Sequence, residues 1–146
     1  MVRLVVSDVD GTLVEDGGSV ELFHPGYYDA IRNLKEKGIV FAVCSGRQFV
    51  SLEKIFAPVA DMIYFAVDGG SMVFYQGECL YSKVLPKEIC EEIIDDVRKI
   101  PPCDVMVNGR KRAYASSADS EMYRWMVNSY GYDIQAVGCL LYTSPS

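Results

Sequence analysis

Apolar and polar positions change period several times along this chain, and each change marks an element. Residues 4–7, Leu-Val-Val-Ser, are a short continuous apolar run, the pattern of a strand covered on both faces. Residues 27–37 switch to helical spacing, with Ile31 and Leu34 on one face and Gly38 as the stop. Residues 39–43 predict a second buried strand. Residues 49–56 predict a helix that offers Val50, Leu52 and Ile55 for packing and ends at Pro58. Residues 62–66 predict a third strand. Strand, helix, strand, helix, strand at this spacing is the mark of βαβ units and a parallel sheet, in which ligands sit outside the carboxyl ends of the strands. The polar stretches at Asp8, Ser45 and Asp68 all fall at such ends, so three segments are expected to converge on one crevice.

After Asp68-Gly69-Gly70 the pattern turns antiparallel. Residues 71–75 and 78–82, joined around Gln76-Gly77, predict a hairpin. A helix is expected over 86–99, with proline in its first turn, early acidic residues and an apolar stripe of Ile89, Ile93, Val97 and Ile100. Pro101-Pro102 stops it. Strands are expected over 105–107 and 112–116 around Asn108-Gly109, and a last helix over 119–130. Tyr123, Trp125 and Met126 are expected to pack that helix onto its sheet. This second half reads as the start of an α+β module, with a boundary near residue 82.

Composition narrows the class. At 146 residues there is room for one domain, or one domain and part of a second. The 14 basic and 20 acidic residues give a net charge of -6, which argues against nonspecific nucleic-acid or anionic-membrane binding. The cluster Arg110-Lys111-Arg112 reads as a solvated turn between strands. The five cysteines show no C-x-x-C spacing, and with a single histidine they leave no plausible zinc site. Scattered thiols behind an N-terminal strand point to a reducing, cytoplasmic setting. No apolar run approaches the roughly 20 residues needed to span a bilayer.

The chemistry concentrates in Asp8-Val9-Asp10-Gly11-Thr12. Strand side chains alternate, so the two carboxylates point to the same side. One can attack a phosphoryl group to form an aspartyl phosphate, and the other can protonate the leaving oxygen and then activate water. Clustered carboxylates repel a phosphate dianion unless a cation bridges them, and magnesium is the expected cation. Plainer readings stand beside this one. Asp-x-Asp-Gly also opens a calcium loop, but that loop needs acidic ligands at set later positions, where this chain has Thr12-Leu13-Val14. Ser45-Gly46 can serve as a simple helix cap. His24, beside Pro25, reads as a surface residue.

Asp8-Val9-Asp10-Gly11-Thr12-Leu13 resembles, at every position, the first motif of the haloacid dehalogenase-like hydrolase superfamily. Ser45-Gly46-Arg47 is similar to the second motif of its Cof-type sugar-phosphatase branch. Val67-Asp68-Gly69-Gly70 before a hairpin is similar to that branch's passage from core into cap, with Asp68 where asparagine is common. The resemblance runs from residue 2 to about residue 130. It implies an α/β fold with a Rossmann-like parallel sheet: residues 1–82 the N-terminal part of the core, and 83–138 part of an α+β cap. It implies Asp8 as nucleophile and magnesium ligand, and Asp10 as general acid/base with its carbonyl on magnesium. The Val9 amide, the Ser45 hydroxyl and the Gly46 amide would hold the phosphoryl oxygens. The implied activity is Mg2+-dependent hydrolysis of a small phosphorylated metabolite, expected to be a sugar phosphate. A phosphomutase using the same aspartyl phosphate, and a noncatalytic fragment that binds magnesium and phosphate, stay open. The superfamily's later lysine and second acidic motif are not recognisable after residue 83, and Lys111 is not assigned that role. Residues 139–146 resemble one reading frame of a sequencing adapter and are expected to be a non-native tail, so the chain is expected to be truncated and inactive alone. Nothing in the sequence fixes an oligomeric state.

Overall fold

A computed structural model of the protein describes residues 1–15 and 23–140. The chain divides into two units, Met1–Lys83 and Val84–Ser146. In the first, β1 (Leu4–Ser7), β2 (Val40–Cys44), β3 (Tyr64–Val67), β4 (Met72–Tyr75) and β5 (Glu78–Ser82) form one sheet in that order. β1, β2 and β3 run parallel, and β4 and β5 add antiparallel strands at one side. α1 (Gly26–Glu36) and α2 (Phe49–Ile55) are the crossovers, and a 3₁₀ helix (Ala57–Met62) leads into β3. This is the α/β core with a parallel sheet that the periodicity predicts.

Local chemistry sets the element ends. The amide of Gly26 donates to Nδ1 of His24, so the lone, exposed histidine serves the start of α1. At the other end Gly38 adopts a φ of +70°. The Gly38 amide then reaches the Lys35 carbonyl at 2.9 Å and the Ile39 amide the Leu34 carbonyl at 2.9 Å. That pair of bonds closes the helix as a glycine stop does. Pro58 sits in the first turn of the 3₁₀ helix, where its missing amide costs nothing.

Val43, Leu52, Phe56, Phe65 and Val67 form the heart of the core between the sheet and its helices. Two expectations fail here. β1 is not covered on both faces: Leu4 is 54% and Val6 57% exposed, and β1 pairs only with β2 among the described residues. β2 likewise exposes Val40 and Cys44. The apolar run encodes a doubly covered strand, but the described chain packs only one face.

The second unit holds α3 (Lys87–Arg98), β6 (Met106–Asn108), β7 (Ala113–Ala115), α4 (Glu121–Tyr130) and β8 (Ile134–Ala136). β6 and β7 are antiparallel around the Asn108-Gly109 turn, and β8 joins β7 in parallel. The stripe expected on α3 is corrected. Its packed face is Cys90, Ile94 and Val97, while Ile89, Ile93 and Ile100 are exposed. Ile93 and Ile94 are neighbours about 100° apart on the helix, and only one of them can face the packed side. On α4, Tyr123 and Met126 pack against the sheet as expected, but Trp125 is 54% exposed. Ser120 caps α4, its hydroxyl accepting from the Tyr123 amide at 3.1 Å. β8 has no counterpart in the sequence reading. Among the described residues no helix is long and apolar enough to cross a membrane.

Candidate active site

The site is built by the chain leaving β1. Val9 is fully buried in the core, which holds Asp8 and Asp10 on the opposite side of the backbone. Asp8 is exposed, and the Asp10 side chain keeps 22% exposure. The turn that follows wraps on one atom: the amides of Thr12, Leu13 and Val14 all donate to the Val9 carbonyl, at 3.2, 2.8 and 3.1 Å. Gly11 makes the turn possible with a φ of +71°, a conformation that side-chain-bearing residues avoid. The D-x-D-G-T sequence is thus a strand exit anchored by an apolar plug, with both carboxylates at its outer side.

β2 brings the second segment. Its parallel register pairs Ser7 with Val43, so the residues after both strands emerge at the same end of the sheet. The Ser45 amide donates to the Ala66 carbonyl at 3.0 Å, and the Gly69 amide donates to the Ser45 carbonyl at 3.1 Å. These bonds tie the exits of β2 and β3 together. Ser45 is buried but for 5% of its surface, and its hydroxyl oxygen accepts from the Arg47 amide at 3.1 Å. Having accepted there, the hydroxyl still has its own proton to donate. Gly46 is exposed. Asp68 and Gly69 both take left-handed backbone angles, φ 49° and 67°, which aspartate and glycine tolerate better than other residues.

Arg47 joins the segments, and the sequence reading gave it no role. Its side chain is 2% exposed. Nε donates to Oδ2 and Oδ1 of Asp10 at 2.9 and 3.2 Å, and Nη2 donates to Oδ1. Its own carbonyl accepts from the Asp68 amide at 3.0 Å. One residue therefore contacts all three strand exits. The available signal was an arginine within a polar strand end facing two carboxylates. Deep burial of its guanidinium was not legible from one sequence.

The donors suit a hard cation as part of a ligand set. The exposed Asp8 carboxylate and the Asp10 carbonyl are oxygen donors, and magnesium is held by one or two carboxylates with water and phosphate completing the shell. Among the described residues no group of three or more His, Cys, Asp or Glu side chains gathers to hold a metal. All five cysteines are free. Residues 141–146, most of the expected non-native tail, lie outside the described residues, whereas Leu140 is buried.

Comparison with known proteins places the site in a family. A family model described as haloacid dehalogenase-like hydrolase matches residues 5–136. The 5-amino-6-(5-phospho-D-ribitylamino)uracil phosphatase of Escherichia coli (strain K12) is 24% identical over 138 residues, covering 93% of this chain and 49% of the relative. A phosphoglycolate phosphatase of Sulfolobus acidocaldarius is 31% identical over 93 residues, 64% of this chain and 37% of the relative. A solved structure from Eubacterium rectale superposes with a TM-score of 0.85 at 34% identity, covering 99% of this chain and 54% of that one. A haloacid dehalogenase-like hydrolase from Bacteroides thetaiotaomicron shares the fold at 16% identity, with a TM-score of 0.80. The chain spans about half the length of the curated relatives it matches, or less. With the model matched across 132 positions and the D-x-D-G-T strand exit in place, the chain belongs to the haloacid dehalogenase-like hydrolase family.

Proposed function

We propose that the protein is a magnesium-dependent phosphomonoester hydrolase that acts on a small phosphorylated metabolite through a phosphoryl group carried on Asp8. The observation that supports this most is an exposed carboxylate, Asp8, beside a second one, Asp10, at the strand end where Ser45 and Gly46 also emerge. The relatives' names, phosphatases of small organic phosphates, point the same way.

An Asp8 oxygen attacks phosphorus while the ester P–O bond breaks. The leaving oxygen takes that electron pair and a proton from Asp10. Water then gives a proton to Asp10 and attacks the phosphoryl group, so the Asp8–phosphorus bond breaks and phosphate leaves. The Val9 amide, the Ser45 hydroxyl and the Gly46 amide hold the equatorial oxygens, where donors fixed in advance count most. Magnesium, when bound on Asp8 and the Asp10 carbonyl, offsets the repulsion between carboxylate and phosphate. Residues beyond this 146-residue sequence are taken to complete the site, in keeping with its share of the relatives' length. The unit from Val84 is then the beginning of a cap that selects the leaving group, residues 139–146 are not native, and the setting is cytoplasmic.

The test is phosphate release from a panel of sugar and short-chain alkyl phosphates, using protein expressed from the coding region read past codon 138. Release is expected to require magnesium and to fall by about 10³-fold or more in Asp8→Asn, the order of loss on removing a covalent nucleophile. Substantial turnover by that variant would remove Asp8 as nucleophile. An isomerised phosphate ester in place of free phosphate would move the reading to a phosphomutase. The 146 residues alone are expected to give no turnover.

A further inference from the structure

We infer that Arg47 is the positioning residue of the general acid: it aims the Asp10 carboxyl at the leaving oxygen and fixes it relative to Ser45, without touching substrate. The inference rests on the phosphatase reading above. At 2% exposure the guanidinium has no surface to offer a substrate, so whatever it contributes passes through the groups it contacts. A buried guanidinium is tolerated only when paired, and Asp10 pairs with it through two of its nitrogens.

The geometry gives the pair a direction. Two donors in one rigid plane meet both oxygens of one carboxylate, which fixes its rotation as well as its place. The Asp10 side chain keeps 22% exposure, so the group held by this fork still meets solvent, where a proton can be exchanged. The fork is itself anchored. The Arg47 amide donates to Ser45 Oγ at 3.1 Å, and its carbonyl accepts from the Asp68 amide at 3.0 Å. The side chain that aims the acid and the backbone that sets the Ser45 hydroxyl therefore belong to one residue. Displacing the acid by an ångström is enough to remove much of its effect, because proton transfer demands hydrogen-bond reach. Lysine keeps the charge but lacks the fork.

A structural ion pair and a positioning pair differ in what they do to different leaving groups. The test follows the first turnover, the release of the alcohol or phenol, in the protein expressed past codon 138. With an alkyl phosphate, whose leaving oxygen needs the proton, Arg47→Met is expected to lose about 10- to 100-fold, part of the 10²–10⁴ that general acid catalysis supplies. With 2,4-dinitrophenyl phosphate, whose phenolate leaves without a proton, the same variant is expected to stay within about threefold of wild type. Arg47→Lys should fall between wild type and Arg47→Met on the alkyl phosphate. The double variant Arg47→Met/Asp10→Asn should be no slower than Asp10→Asn alone, since a residue acting through Asp10 has nothing further to lose. Equal losses on both substrates, or additive losses in the double variant, would overturn the assignment. Binding of beryllium fluoride with magnesium, a phosphoryl mimic that needs Asp8 but no general acid, checks the crevice apart from turnover. If Arg47→Met does not bind it, Arg47→Lys takes its place throughout the comparison. Loss of binding in both variants would show that Arg47 holds up the whole crevice, and would also overturn the assignment. A wild type with no first-turnover release, or turnover by Asp8→Asn, would instead refute the phosphatase reading itself.

Discussion

On one face of the core sheet Val5, Phe41, Val43, Phe65, Val67 and Phe74 are buried or half-buried, and on the other Leu4, Val6, Val40 and Cys44 stand exposed. The register makes these true opposite faces: Leu4 pairs with Val40, Val6 with Ala42, and Phe65 with Phe74. Both faces are apolar in composition, yet only one is packed. Hydrophobic side chains thus report what a face is suited to meet, and burial reports what it meets within the described residues. The site lies at the strand ends of this half-covered sheet, so its geometry depends on the packed face, where Val9 is anchored.

Substitutions on the two faces put that contrast at risk, the largest effect first. Phe65→Ala removes a ring that lies edge-on to Phe49, with centroids 5.3 Å apart, and is expected to cost about 3–5 kcal/mol in denaturant unfolding. A cost below about 1 kcal/mol would mean that the packed face is not the core. In the second unit, α3 carries its own version of the contrast. Ile94→Ala should cost about 2–5 kcal/mol as a buried aliphatic truncation, and Ile93→Ala, one residue away, within about 0.5 kcal/mol. Equal costs would restore the broader stripe that the sequence suggests.

Tyr28 joins α1 to the end of α2 by donating its hydroxyl to the Ile55 carbonyl at 2.7 Å. Tyr28→Phe is expected to cost about 1 kcal/mol, the usual net worth of such a bond. Burial also raises the Tyr28 pKa above its ordinary value of 10.0. Folding therefore favours the protonated phenol. That contribution is complete below about pH 10 and is lost as pH rises through the folded-state value. Thermal unfolding of wild type should weaken there more steeply than that of Tyr28→Phe, and parallel alkaline profiles would contradict the shift. The smallest effect belongs to the open face. Val6→Thr keeps the branched shape at a position 57% exposed and should stay within about 0.5 kcal/mol. A loss above about 1.5 kcal/mol would show that this face is packed in solution.

Much of the first unit was legible because its signals are local. Alternating strands and helices, the Gly38 stop and the Gln76-Gly77 turn each depend on a few adjacent residues. The approach of Asp8, Asp10, Ser45 and Gly46 to one sheet end followed from βαβ topology, which needs only the order of elements. What escaped was set by partners distant in sequence. Arg47 reads as an ordinary polar residue until its burial against Asp10, 37 positions earlier, is seen. β8 is only three residues long, and its pairing with β7 depends on α4 returning the chain to that edge. Ile93 and Ile94 look equivalent in composition, and only the neighbouring elements decide which is covered. Trp125 stays exposed although its neighbours on α4 pack.

The claim on which the rest depends is that Asp8 carries the phosphoryl group. Acid quenching of protein expressed past codon 138 during turnover, reduction of any acyl phosphate with borohydride, and peptide mass spectrometry would read it directly. Conversion of residue 8 to homoserine, dependent on substrate and absent in Asp8→Asn, is the predicted result. Turnover with residue 8 unmodified and a phosphoryl group trapped on another side chain would contradict the account.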